Sequence, residues 1–310
     1  MPSTPLKVGL IGLDTSHVPA FTRILNDESN EHHVPGARVT YGFPGGADDF
    51  DKSYERVKKY TAQIRDEYGV EMLDSPAAVA EASDLVIITA VDGRQHLDFF
   101  KQVAPAGKPV FIDKPLATRF DHARQIFETA SAAGIAVMSC SAVRYSEPFA
   151  KALAAHADEP IHAIDLFGPM AIEPTQGGLF WYGCHSVELA VAAMGGPAAT
   201  AQDLANENHD VVTFTWDDGR VATIHGLRGV HHQFGGAIHR ATGPDYIDMS
   251  QPARPAYAVM LEAILRTLPN GQSDIPAEQS LAVVAMIEAA NASRNDGRPY
   301  DVPAVPSVTA

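Results

Sequence analysis

The sequence predicts an α/β fold: a doubly wound parallel sheet in the first half, then an α+β region with an open, mostly antiparallel sheet. Two textures carry this expectation. Up to residue 141, short apolar runs alternate with segments of helical periodicity. Beyond about residue 160, apolar and polar positions alternate, as in strands with one solvated face. At 310 residues the chain exceeds what one core comfortably fills, so two domains are expected, residues 1–142 and 143–310.

The run VGLIGL at 8–13 reads as the first buried strand, and a helix beginning near Ser16 carries Phe21, Ile24 and Leu25 inward. ARVTYGF at 37–43, a helix near 52–68 and LVIITAV at 85–91 follow. A helix near 96–104, PVFID at 109–113, a helix near 119–133 and IAVMSCS at 135–141 complete the alternation. Ligands of such sheets sit at the carboxyl ends of the strands, where strand order reverses. Later, AIDLFG, VVTFTWDDGRVATIHGL and AIHRATG read as strands, with DDG at 217–219 as a hairpin turn. Helices near 185–194, 255–268 and 277–294 end at Gly195-Gly196-Pro197, Pro269-Asn270-Gly271 and Asp296-Gly297. The last of these can pack back onto the first domain, and PAVPSVTA at the end reads as a loose or docked tail.

Composition narrows the function class. A formal charge of −15 disfavours nucleic acid and anionic membranes as partners, so a small molecule is expected. No apolar run approaches the length of a membrane span, and the N-terminus lacks the order of a signal peptide, which makes the cytoplasm the expected location. Cys140 and Cys184 have neither metal-ligand spacing nor a disulfide framework, and no metal site is expected.

VGLIGLDTSH at 8–17 has the strand, turn and helix of a dinucleotide-binding site but only part of its chemistry. If Gly12 is the first glycine of G-x-G-x-x-G, Asp14 and His17 occupy the second and third glycine positions. A carboxylate where backbone should meet a pyrophosphate weakens binding in the standard pose. Alternatively, Asp14 or Ser16 caps the helix. The second strand ends in VTYGFPGG, with neither the acid that takes NAD ribose hydroxyls nor the base that takes an NADP phosphate. Lys52, Arg56, Lys58 and Lys59 follow it, either as a solvated helix face or within reach of a 2′-phosphate.

This turn, GKPVFIDKPLA at 107–117, VRYSEPF at 143–149 and GG-x6-H at 177–185 together resemble the Gfo/Idh/MocA family, glucose-fructose oxidoreductase and inositol dehydrogenase relatives. The resemblance implies an N-terminal Rossmann domain, a second domain whose open sheet forms a homodimer or homotetramer, and NAD or NADP acting on a sugar or polyol. It implies that Lys114, with Asp113 in place of the family's glutamate, contacts nicotinamide ribose and substrate, and that the bond before Pro115 is cis. His185 matches the family's catalytic histidine, but the aspartate four residues earlier is Trp181.

Hydride removal from a secondary alcohol needs an acceptor for the hydroxyl proton, and Lys114 and His185 are the candidates. Cofactor-binding positions are Gly12, Asp14, Thr15, Ser16, His17, His96, Asp113 and Lys114; substrate positions are Arg144, Tyr182 and His185. His96 either lines the nicotinamide crevice or caps the following helix, and Arg144 either reaches substrate or makes a hinge ion pair. His231-His232 reads as a solvated loop. The leading reading is an NAD(P)-linked oxidoreductase on a sugar-like polyol. The alternatives are a redox-neutral lyase, hydrolase or epimerase that needs no dinucleotide and uses Asp14, His17, Asp92, Lys114 and His185, or a non-catalytic sugar-binding protein.

Overall fold

The computed structural model describes residues 4–307, so the end of the expected tail, 308–310, lies outside the described residues. The first half forms a six-stranded sheet from β1 (Leu6–Ile11), β2 (Ala37–Phe43), β3 (Glu71–Met72), β4 (Leu85–Ile88), β5 (Val110–Asp113) and β6 (Val137–Cys140). Every pairing in it is parallel, in the order β3-β2-β1-β4-β5-β6. Strands β4 to β6 are buried at every position, as befits a sheet covered on both faces. The covering helices are α1 (His17–Asn26), α2 (Asp51–Tyr68), α3 (Pro76–Ala82), α4 (His96–Val103) and α5 (Phe120–Ala133). Strand order reverses between β1 and β4, and the crevice above that point is the expected ligand site.

The second half contributes α6 (Glu147–Ala154), β7 (Ala163–Pro169), α7 (Gly183–Met194), β8 (Thr200–Ala205), β9 (His209–Thr215), β10 (Val221–Leu227), β11 (Gly235–Arg240) and β12 (Gly243–Asp248). It closes with α8 (Ala256–Thr267), α9 (Ala277–Ser293) and β13 (Tyr300–Asp301). Its seven strands run in the order β12-β11-β7-β10-β9-β8-β13 and are antiparallel except for β7 with β10. The expected fold class is therefore the observed one. The sequence reading overlooked α3, α6 and the strands β3, β8, β12 and β13, segments too brief or too polar for periodicity to declare. Helix α9 is apolar nearly all round, as a helix buried on several sides must be, and packs on α5, α7, β6 and β8. Ser280 of α9 donates to the Ser139 carbonyl of β6 at 3.0 Å, tying the two halves together. Among the described residues no helix is long and apolar enough to cross a membrane.

In the mixed sheet, Asp203 of β8 and Asp210 of β9 form a buried acid pair, both 0% exposed. Arg228 and Arg294 hold Asp210; Arg294 Nε also lies 3.9 Å from Asp203, whose carboxyl oxygens accept no hydrogen bond. Burial and then the neighbouring Asp210 charge push Asp203 from 3.8 up to about 7. A carboxyl that holds its proton more tightly when folded contributes stability in full below about pH 4, and that contribution is lost as pH rises through about 7. Asp203→Asn is expected to remove this loss, about 1–3 kcal/mol between roughly pH 5 and 8.5. Urea midpoints of the two proteins that change in parallel across that range would show that Asp203 does not titrate there.

Candidate active site

Above the strand-order reversal a cavity of about 920 Å³ runs from the start of α1 to the end of β10. Lys114 and His185 both line it. Lys114 follows β5 directly, at the sheet's carboxyl edge, and its bond to Pro115 is cis. His185 lies in the first turn of α7, between the rings of Tyr182 and Phe234, each 5.5 Å away. Burial lowers its pKa far below the ordinary imidazole value, and the nearby charges of Lys114 and His17 add to the effect. The ring is therefore neutral, and its Nδ1 lies 2.5 Å from Ser141 Oγ. If Nδ1–H donates to Ser141, Nε2 is left bare as a proton acceptor; with the opposite tautomer Nε2–H is a donor.

His17, at the third fingerprint position, also faces the cavity, and Nδ1 of its ring pairs with Asp113. Tyr257 of α8 packs on the same ring at 4.9 Å. Burial on its own would raise the Asp113 carboxyl, but His17 and Lys114 outweigh it and hold the group below the usual carboxylate range. Its other oxygen accepts the Lys114 backbone N–H at 2.8 Å, so one carboxylate orients both the histidine and the lysine segment. The aspartate of DKP thus lies behind the cavity wall, acting through His17. Neither the Asp113–His17 pairing nor the Ser141–His185 pairing was foreseen. The available signal was position, since Asp113 ends β5 and Ser141 directly follows β6.

Asp14 is placed differently from the expectation. Its side chain is fully buried and does not line the cavity. Ser53 Oγ donates to one oxygen at 2.6 Å and the Val91 N–H to the other at 2.8 Å. It therefore joins α2 to the segment that follows β4, places no charge in the cavity and caps nothing in α1; Ser16 precedes α1 without a side-chain cap either. Burial raises the Asp14 carboxyl despite these hydrogen bonds. Gly12 has φ +84°, and a Cβ there would lie 2.4 Å from the Ala90 Cα, so the bend needs glycine. The chain itself covers this bend. The Pro44 carbonyl accepts the Leu13 N–H at 2.7 Å, and a Cβ on Gly45 would lie 3.2 Å from the Gly12 Cα. The space over this tight turn, beside the position where backbone would meet a pyrophosphate, is taken by the segment after β2.

Thr15, Ser16 and Tyr182 line the cavity as expected, but His96 and Arg144 do not. His96 is 0% exposed, with Nδ1 2.9 Å from the Pro115 carbonyl and Nε2 2.8 Å from that of Ala90, so it braces the lysine loop from below. Arg144 donates to Glu188 at 2.9 Å and to Gln279 at 2.5 Å, the ion-pair alternative of the sequence reading. Asp92 is held by Arg94 and Gln176 away from the cavity. Residues not put forward from the sequence complete the wall. Trp181 lies with its ring 5.6 Å from the Lys114 ammonium and 5.5 Å from that of Lys52. No group of three or more His, Cys, Asp or Glu side chains among the described residues could hold a metal ion.

Residues 6–140 match the family described as "Oxidoreductase family, NAD-binding Rossmann fold", Gfo/Idh/MocA. That match spans the whole of the parallel sheet, from β1 to β6. Solved structures extend the likeness of fold over the whole chain. GenD2 from gentamicin A biosynthesis, in complex with NAD, is 18% identical with TM-score 0.81, covering 98% of each chain. Myo-inositol dehydrogenase from Lactobacillus casei, in complex with NAD(H) and myo-inositol, is 14% identical with TM-score 0.77, also over 98% of each chain. A probable dehydrogenase from Thermotoga maritima is 16% identical with TM-score 0.78, over 97% of this chain and all of that one. No curated protein matches the sequence. Within the matched segment, the lysine loop is the part that faces the cavity, and the glycine turn is the part covered by its own backbone.

Proposed function

We propose that the protein is an NAD(P)-dependent oxidoreductase acting on a hydroxyl-bearing, sugar-like substrate, with Lys114 and His185 handling the proton. The single observation that supports this best is the meeting of these two side chains, one from each sheet region, on one cavity with room beside them for a ligand. The cavity's charge suits a dinucleotide, since none of its lining residues among those described is acidic and the exposed Ser16 opens α1. A pyrophosphate would be held by Thr15, Ser16 and the start of α1, displaced from the sealed bend at Gly12. When bound, the nicotinamide supplies the two-electron hydride acceptor or donor.

The chain's own residues do the rest. As hydride leaves the carbinol carbon, the hydroxyl proton must leave too, and the resulting C=O retains the oxygen. Bare Nε2 of neutral His185 can take that proton while the Lys114 ammonium stabilises the developing oxyanion; a neutral Lys114 amine reverses these roles. Tyr182, Phe234 and Trp181 give the cavity an apolar wall beside His185 and Lys114, which would limit water around a reacting carbon there.

The seal at Gly12 favours a second reading, a redox-neutral enzyme without dinucleotide, in which His17 oriented by Asp113 joins Lys114 and His185 in acid–base work. Titration of NADH and NADPH, followed by tryptophan fluorescence and thermal shift, separates the two. The oxidoreductase reading expects saturable binding of at least one below about 1 mM, a common range for enzyme ligands. No response to either by a folded protein would transfer the assignment to the redox-neutral reading.

A further inference from the structure

The structure assigns this cavity an anionic substrate: a hydroxy or oxo compound carrying a carboxylate or phosphate, in preference to a neutral polyol. This rests on the oxidoreductase reading only for the reaction, not for the charge. Recognition of a neutral polyol by side chains needs acceptors for its many hydroxyl hydrogens, and carboxylates and amides are the strongest of these. Among the described residues, none lining the cavity is Asp, Glu, Asn or Gln. The chain as a whole has 38 acidic against 23 basic residues, so this wall is depleted of acids where most of the protein is rich in them.

Cations take their place. Lys52, Arg56, Lys114 and Arg228 line the cavity. Two are already committed, Lys52 to Glu173 and Arg228 to Asp210. The Lys114 ammonium and the Arg56 guanidinium have no ion pair or side-chain hydrogen bond among the described residues, although both are partly buried. The Asp113 carboxylate lies near Lys114, but its oxygens are engaged by His17 and the Lys114 backbone N–H, so the ammonium, like the Arg56 guanidinium, is left without a direct partner that a ligand's anion could supply. Trp181 reinforces the bias. It stands four residues before His185, giving a flat apolar surface flanked by the Lys52 and Lys114 ammonium groups. A sugar acid or sugar phosphate would bring its own acceptors to these donors and lay an apolar ring face on the indole.

The anion could be a carboxylate or a phosphate ester of the substrate, and a cofactor's phosphate is the competing explanation for Arg56. Calorimetric titrations of the full chain with myo-inositol, D-glucuronate and glucose 6-phosphate, each with and without saturating NADH, separate these. At least one of the two anions is expected to bind ten times more tightly than myo-inositol, and which one does so identifies the group. In Arg56→Ala that advantage is expected to fall at least fivefold, whereas Arg56→Lys retains most of it. Myo-inositol binding as tightly as both anions would overturn the proposal. So would an Arg56→Ala protein that loses NADH affinity but not anion affinity, which would give Arg56 to the cofactor and leave the oxidoreductase reading intact. Anion preference with no NADH binding would uphold the proposal while removing the oxidoreductase reading.

Discussion

Replacement of Lys114 by methionine is expected to lower turnover at least a thousandfold, roughly 4 kcal/mol of transition-state stabilisation, while the protein stays folded and still binds NADH. Methionine keeps the length and apolar stem of lysine, so packing on Trp181 survives and only the ammonium is lost. The size of the effect follows from the surroundings. His185 is pressed toward its neutral form by burial and then by the Lys114 charge itself, so the two groups divide a single task. Removing the lysine takes away the oxyanion's cation and also relieves the histidine, which should become more basic. The pH profile of residual activity in Lys114→Met is therefore expected to move to higher pH on its acid limb. Turnover within tenfold of the wild type would exclude Lys114 from the chemistry. A large loss with no change in the pH profile would instead confine its role to holding the substrate.

The parallel sheet was legible because its strands are continuous apolar runs closed by turn residues, and β4, β5 and β6 are buried at every position. That Lys114 and His185 face one cavity was legible from the GKPVFIDKPLA and GG-x6-H motifs, which place them just after a buried strand and in the first turn of a helix. Partnerships were not. Asp113 and His17 are 96 residues apart, and only the placement of β1 and β5 on either side of β4 brings them within reach. Asp14 shows the limit most plainly. Its position in the fingerprint says that a glycine is missing, but whether the carboxylate faces a phosphate or the protein depends on Ser53, which α2 carries in from 39 residues away. His96 and Arg144 were drawn toward the ligand by their charge and motif position, whereas the Ala90 and Pro115 carbonyls and the Glu188 carboxylate satisfy them first.

Asp14→Gly restores the glycine that the fingerprint lacks, yet it is expected to destabilise the protein by about 2–5 kcal/mol and to confer no added affinity for NADH. Two donors lose their acceptor: the Val91 N–H and the Ser53 hydroxyl, which is itself fixed by the Ala47 N–H at 2.7 Å. All three positions are buried, so water does not readily replace the carboxylate. The bend meanwhile stays covered, because the hydrogen bond from Leu13 to the Pro44 carbonyl and the contact of Gly45 with Gly12 do not involve residue 14's side chain. Asp14→Asn tests the same geometry from the other direction. The amide oxygen can still accept from Val91 and the amide nitrogen can donate to the Ser53 oxygen, but the Ser53 hydroxyl hydrogen loses its acceptor, so a loss of about 1–2 kcal/mol, smaller than in Asp14→Gly, is expected. The parent carboxyl is already raised by burial, which makes an uncharged replacement easier to accommodate. Urea denaturation and NADH titration of both variants check this account. A stable Asp14→Gly protein with sharply improved NADH binding would mean that the segment after β2 is held over the glycine turn by Asp14 alone, and that its backbone contacts are too weak to exclude a pyrophosphate.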